Sequence, residues 1–99
     1  MNIQPTNTQT PFQAKLRIGD TIGMLKLTQK EYLTEYAHKI GSPSDTIDMA
    51  FAIINGVSTL FLQSSINGVE NSVTYKNLGD YPVIAGCKAL YDLEKNHLL

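Results

Sequence analysis

SPSDTIDMAFAIING, residues Ser42–Gly56, is the stretch on which the architecture turns. It opens like a helix. Ser42 stands where a capping hydroxyl is preferred, and Pro43 falls at a first helical position, where its missing N–H costs nothing. Asp45 lies in a first turn, where the helix dipole favours negative charge. Ile47, Ala50, Phe51 and Ile54 then recur at helical spacing, with Met49 and Ile53 widening the stripe. The spacing predicts a helix over 43–54, buried on most sides. A competing reading makes 50–54 a strand ending in a hairpin turn at Asn55-Gly56. The well-formed start favours the helix.

Upstream, residues 12–18, FQAKLRI, alternate apolar and polar, with Phe12, Ala14, Leu16 and Ile18 on one side and Gln13, Lys15 and Arg17 on the other. That is the period of a half-buried strand. Gly19 and Gly23 permit a turn, and a second strand is expected over about 22–27, paired with the first. Thr28 and Glu31 have the spacing of a capping box, followed by Leu33, Tyr36, Ala37 and Ile40 at helical spacing and by Gly41 as a terminal left-handed residue. These predict a helix over 29–40. Residues 1–11 are polar, lack charged side chains and contain two prolines, which predicts an extended arm.

Downstream, Asn67-Gly68 is a two-residue turn of the kind that matches strand twist. It pairs Ile66 with Val69, and therefore Leu62 with Val73 and Leu60 with Tyr75 on one face. The other face pairs Ser65 with Glu70, Gln63 with Ser72, Phe61 with Thr74 and Thr59 with Lys76. The last segment predicts a helix from Tyr81 or Pro82 to about Lys95, with Asp80 as a cap and a stripe of Val83, Cys87, Leu90 and Tyr91, with Ile84 beside it. Gly86, beside that stripe, suits close packing against a neighbour. The expected fold is a small single α+β domain over 12–99, of order ββααββα. Its antiparallel sheet of two hairpins packs against the helices.

Composition narrows the function. Of 99 residues only 17% are charged, below the roughly 25% usual for soluble domains. Ser, Thr, Asn and Gln outnumber the charged residues, 27 to 17. A net charge of −1 supplies no field to draw nucleic acid or an anionic membrane. Cys87 is the single cysteine, so no internal disulfide and no multi-cysteine metal site can form. The first residues lack a signal-peptide pattern, and no apolar run nears the ~20 residues that span a bilayer. A cytoplasmic protein is expected, or a virion component if the source is viral.

No catalytic motif is present. His38 and His97 belong to no metal-binding spacing, and Cys87 on an apolar stripe reads as a small core hydrophobe. Glu31/Glu35 and Asp45/Asp48 read as solvated helix-surface pairs, and no glycine-rich phosphate loop is found. The chain is therefore expected to be no enzyme and to need no cofactor or metal. The expected function is assembly: a protein that binds protein, chiefly copies of itself, in the style of small charge-poor virus or phage subunits. The candidate contact residues are Phe61, Gln63, Ser65 and Thr74 on the polar hairpin face, with Tyr32 and Tyr36 on the first helix, because interface centres are poor in charge and rich in tyrosine. The alternative is a small inhibitor or sequestering protein for a host protein or a small polar metabolite.

Overall fold

A computed structural model describes residues 15–98 apart from 21 and 41. The extended arm expected over 1–11 and the start of the first expected strand lie outside the described residues. The elements run β1 Lys15–Asp20, α1 Leu27–His38, β2 Thr46–Ile54, β3 Val57–Ile66, β4 Val69–Lys76 and α2 Pro82–Leu98. Four strands form one sheet in the order β1-β2-β3-β4. β1 and β2 are parallel; β2–β3 and β3–β4 are antiparallel. The domain is α+β, but its order is βαβββα and its sheet is mixed, which corrects the expected ββααββα and its wholly antiparallel sheet.

The correction begins at residues 43–54. Residues 46–54 form β2 and 43–45 belong to the turn before it; none of the stretch is helical. Ile47, Met49 and Phe51 alternate into the core while Thr46, Asp48 and Ala50 take the opposite side. Asn55 and Gly56, with φ of 53° and 79°, make the tight turn into β3. The apparent helix start is a turn. The Asp45 N–H donates to the Ser42 carbonyl (2.9 Å), and the Asp45 carboxylate accepts from the Ser42 N–H (2.7 Å). Residues that cap helices also close turns, because both uses rest on a short polar side chain bonding nearby backbone.

The second expected strand is also absent. Asp20 ends β1, and its carboxylate accepts the Met24 and Leu25 N–H groups, each at 2.8 Å. This folds 22–26 into a loop that leads into α1. Parallel strands need a crossover, and α1 provides it between β1 and β2. The helix begins at Leu27 with Lys26 as its cap residue, and the Gln29 side chain accepts the Lys26 N–H at 2.9 Å. Thr28, already inside the helix, caps nothing.

The hairpin of β3 and β4 has the register that its turn and alternation predict, from Ile66↔Val69 to Thr59↔Lys76. Both helices lie on one face of the sheet. The core joins Leu33, Ala37 and Ile40 from α1 and its end to Ala89, Leu90 and Leu93 of α2, above Ile47, Met49, Phe51, Leu60, Leu62 and Ile66. α2 is rotated from its expected stripe: Gly86, Ala89, Leu90 and Leu93 are buried, Val83 and Cys87 flank them, and Ile84 and Tyr91 point outward. The cause is the missing side chain at Gly86. A Cβ there would stand 2.9 Å from Leu33 Cδ1, so α2 turns its narrowest point toward α1.

The Tyr75 hydroxyl, reaching from β4, donates to Asp92 Oδ2 of α2 at 3.1 Å. Burial first, and the Asp92 bond second, push the phenol up to about 12. A raised folded-state value favours the protonated phenol in the native protein. The resulting stabilisation is complete below the ordinary tyrosine value near 10 and is lost as pH climbs to about 12. Melting temperature measured at pH 9 and pH 11 should therefore fall more steeply in the natural protein than in Tyr75→Phe. Parallel slopes would remove Tyr75 from the alkaline transition.

Candidate functional site

With both helices on one side, the other face of the sheet is uncovered among the described residues. Strand alternation decides what it carries. β1 contributes Lys15, Arg17 and Gly19; β2 contributes Thr46, Asp48, Ala50, Ala52 and Ile54. β3 adds Val57, Thr59, Phe61, Gln63 and Ser65, and β4 adds Glu70, Ser72, Thr74 and Lys76. The registers align these into cross-strand rows: Arg17–Asp48–Gln63–Ser72, then Gly19–Ala50–Phe61–Thr74, then Ala52–Thr59–Lys76.

The face has two halves of different chemistry. At one end the Arg17 guanidinium grips Asp48 with two bonds, Nε–Oδ1 at 2.6 Å and Nη2–Oδ2 at 3.1 Å. The hydrogen bond and charge of Asp48 raise the Arg17 pKa further. Beyond this pair the face turns apolar. Phe61 is 42% exposed and Ile54 46%, while Ala50 is open and Ala52 and Val57 are half-buried. Thr59 is buried between them, and its hydroxyl donates to the Val57 carbonyl at 2.9 Å. A shallow concavity results, walled by Ile54, Val57, Phe61, Thr74 and the Lys76 side chain.

Of the six candidate contact residues, Phe61, Gln63, Ser65 and Thr74 share this face. Tyr32 and Tyr36 do not. They lie on α1, on the opposite side of the molecule, where a second shallow groove also takes in Glu35, Lys39 and Glu94. The Tyr36 phenol is raised by partial burial, then by the charge of Glu94. Arg17, Asp48, Ala50, Ala52, Ile54 and Val57 belong to the sheet face but escaped the sequence reading. The signal that would have found them is the alternation of Thr46, Asp48, Ala50 and Ala52 against Ile47, Met49, Phe51 and Ile53.

Of the candidate groups Glu31, Glu35, Asp45, Asp48, Cys87 and His38, Asp48 lies on this face and the others lie off it. Asp45 is buried in its turn and Asp48 is ion-paired on the sheet, so they are not the helix-surface pair expected from their spacing. Glu31 and Glu35 are exposed on α1. Cys87 is half-buried, and burial pushes its thiol up, away from the reactive thiolate. His38 is half-buried in the last turn of α1, and the side chain of His97 lies outside the described part of α2. Among the described residues no three His, Cys, Asp or Glu side chains group as metal ligands, and no helix is long and apolar enough to cross a membrane. Comparison of the chain with protein-family models, curated proteins and solved structures finds no match in any of the three, so its function has to be argued from its own residues.

Proposed function

We propose that this protein is a non-enzymatic assembly subunit that associates with copies of itself through the uncovered face of its sheet. The observation that carries the reading is Phe61. It is an aromatic ring at the centre of a four-stranded face, in one cross-strand row with Gly19 and Ala50. A two-fold axis lying between two such faces, parallel to the strands, sets each ring over the Gly19–Ala50 trough of the other copy. A self-complementary patch of this kind is what a two-fold interface needs. Aromatic side chains set in apolar surroundings dominate interface energies, and charge is depleted where they sit. Here the row through the ring, Gly19–Ala50–Phe61–Thr74, carries no charge, and the one charge in the next row, Lys76, stands at the β4 edge.

The test is Phe61→Thr, which removes the ring and keeps a β-branched residue that suits a strand. Light scattering after size exclusion should give an oligomer for the natural chain. Association of the variant should weaken about thirtyfold, the loss typical of an aromatic anchor worth ~2 kcal/mol. Identical masses for both proteins across a hundredfold range of concentration would dismiss the sheet face as a contact surface.

A further inference from the structure

Among the described residues β4 is one of the two edges of the sheet, and its backbone chemistry is specific enough to name a partner. The two-residue turn Asn67-Gly68 makes Ile66 and Val69 a hydrogen-bonded pair. Alternation then assigns Val69, Asn71, Val73 and Tyr75 to bonding with β3, and the Asn77 N–H continues the series by donating to Ser58 O at 2.8 Å. Glu70, Ser72, Thr74 and Lys76 therefore turn their N–H and C=O groups outward. The Ser72 N–H shows the consequence: it is taken by the neighbouring Asn71 side chain, at 3.0 Å.

The edge runs eight residues without proline or glycine. On its helix side Val73 is 36% exposed and Val69 55%, beyond the cover of the helices. Its two charged residues have opposite signs and stand six positions apart.

We infer that two copies join edge to edge, β4 antiparallel to β4 about a two-fold axis at Val73, to form a continuous eight-stranded sheet. This register opposes Glu70 to Lys76 of the second copy, twice, and Ser72 to Thr74, twice. All four are bonded pairs in which outward backbone groups meet outward backbone groups, as an antiparallel ladder requires. Val73 meets Val73 of the second copy in the closer, non-bonded spacing, where apolar pairs pack best. Strand addition at an unpaired edge draws affinity from the main chain and its selectivity from side chains such as these. Asn71 releases the Ser72 N–H as the second strand arrives. Phe61, on β3, takes no part in this register, although Thr74 and Lys76 border the sheet-face concavity as well as the edge.

The test uses the full chain carrying Phe61→Thr, which weakens the sheet-face contact about thirtyfold, at protein concentrations where that weakened contact no longer holds a dimer. That protein should still form a dimer. Adding Glu70→Lys opposes Lys to Lys, and adding Lys76→Glu opposes Glu to Glu. Each should raise the dissociation constant at least tenfold, because two like-charged cross-strand pairs replace two opposite-charged ones. An equimolar mixture of the two should recover the dimer, since every cross-strand pair is then Lys with Glu. Thr74→Pro removes an outward N–H and spares the β3 ladder, so it should give a monomer with unchanged far-ultraviolet circular dichroism. A Phe61→Thr protein that is monomeric at every concentration, or a mixture no more dimeric than its components, overturns the edge pairing. The first of these outcomes, set against an oligomeric natural protein, leaves the sheet-face reading standing. An unchanged mass for Phe61→Thr that collapses with Glu70→Lys rejects the face and retains the edge.

Discussion

Asp45→Ala is expected to lower the unfolding free energy by about 3 kcal/mol, through the buried donors it abandons. Asp45 is buried, with 3% of its surface exposed. Its Oδ2 accepts the Ser42 N–H at 2.7 Å and the Ser42 hydroxyl at 3.2 Å, and its Oδ1 accepts the Asn67 N–H at 3.0 Å. The last bond joins segments 22 residues apart, fastening the loop before β2 to the β3–β4 turn. Hydrogen bonds to a charged group contribute ~1.5–3 kcal/mol each, and a buried donor left without a partner costs ~1–3 kcal/mol. Alanine removes all three bonds, and water reaching the loop offsets part of the loss. For a domain of this size the drop in melting temperature should be on the order of 15 °C. Asp45→Asn should lose less, because one side-chain oxygen can still accept while the amide opposes a donor. Thermal unfolding of the three proteins checks the order. A melting point within about 3 °C of the natural protein for Asp45→Ala would show that water satisfies both loops equally well.

Asp45 also shows where sequence reasoning went astray. Read locally, Ser42, Pro43 and Asp45 fit a helix start, and the apolar residues after them fit a helical period. Ile47, Phe51 and Ile54 satisfy that period and belong to the strand as well, with only Ile54 on the opposite side. Ala50 completed the helical stripe because it is apolar, yet it faces the uncovered side of the sheet. An apolar residue on an outward face defeats a reading that equates apolar with inside. What decides the matter is pairing: nine residues of β2 are matched to β3 and six to β1. No local propensity encodes the second partner, which lies across a helix.

The β3–β4 hairpin was legible throughout because two independent signals coincide there. The Asn67-Gly68 turn sets the register, and the alternation of Leu60, Leu62 and Ile66 against Phe61, Gln63 and Ser65 sets the same one. For that reason the sequence alone places Phe61, Gln63, Ser65 and Thr74 together on one face. The other half of that face was not found, because it belongs to the strand read as a helix. Residue type alone groups Tyr32 and Tyr36 with that face, and type does not say which side of a sheet a helix covers.

Leu33→Ala is expected to cost about 3 kcal/mol, within the ~2–5 kcal/mol range for truncating a buried leucine. Leu33 is fully buried at the crossing of α1 over α2, and its δ carbons occupy the hollow that Gly86 leaves. Gly86→Ala by itself sets two effects against each other. Alanine favours a helix over glycine by ~1 kcal/mol, but the new Cβ lands 2.9 Å and 3.1 Å from the Leu33 δ carbons and 3.5 Å from Phe51 Cζ. Leu33 cannot swing clear, because buried Phe51 closes the same hollow, and overpacking of this kind costs ~1–3 kcal/mol. The single variant should therefore lose stability despite its better helix propensity. Once Leu33 is alanine the clash disappears and the helix preference remains, so Gly86→Ala should change sign and stabilise the Leu33→Ala protein. The double variant should then be more stable than the sum of the two single losses by ~1–3 kcal/mol, a coupling that urea unfolding of the four proteins measures directly. Strict additivity would mean that the two helices move apart to admit the methyl group, and that Gly86 does not set the rotation of α2.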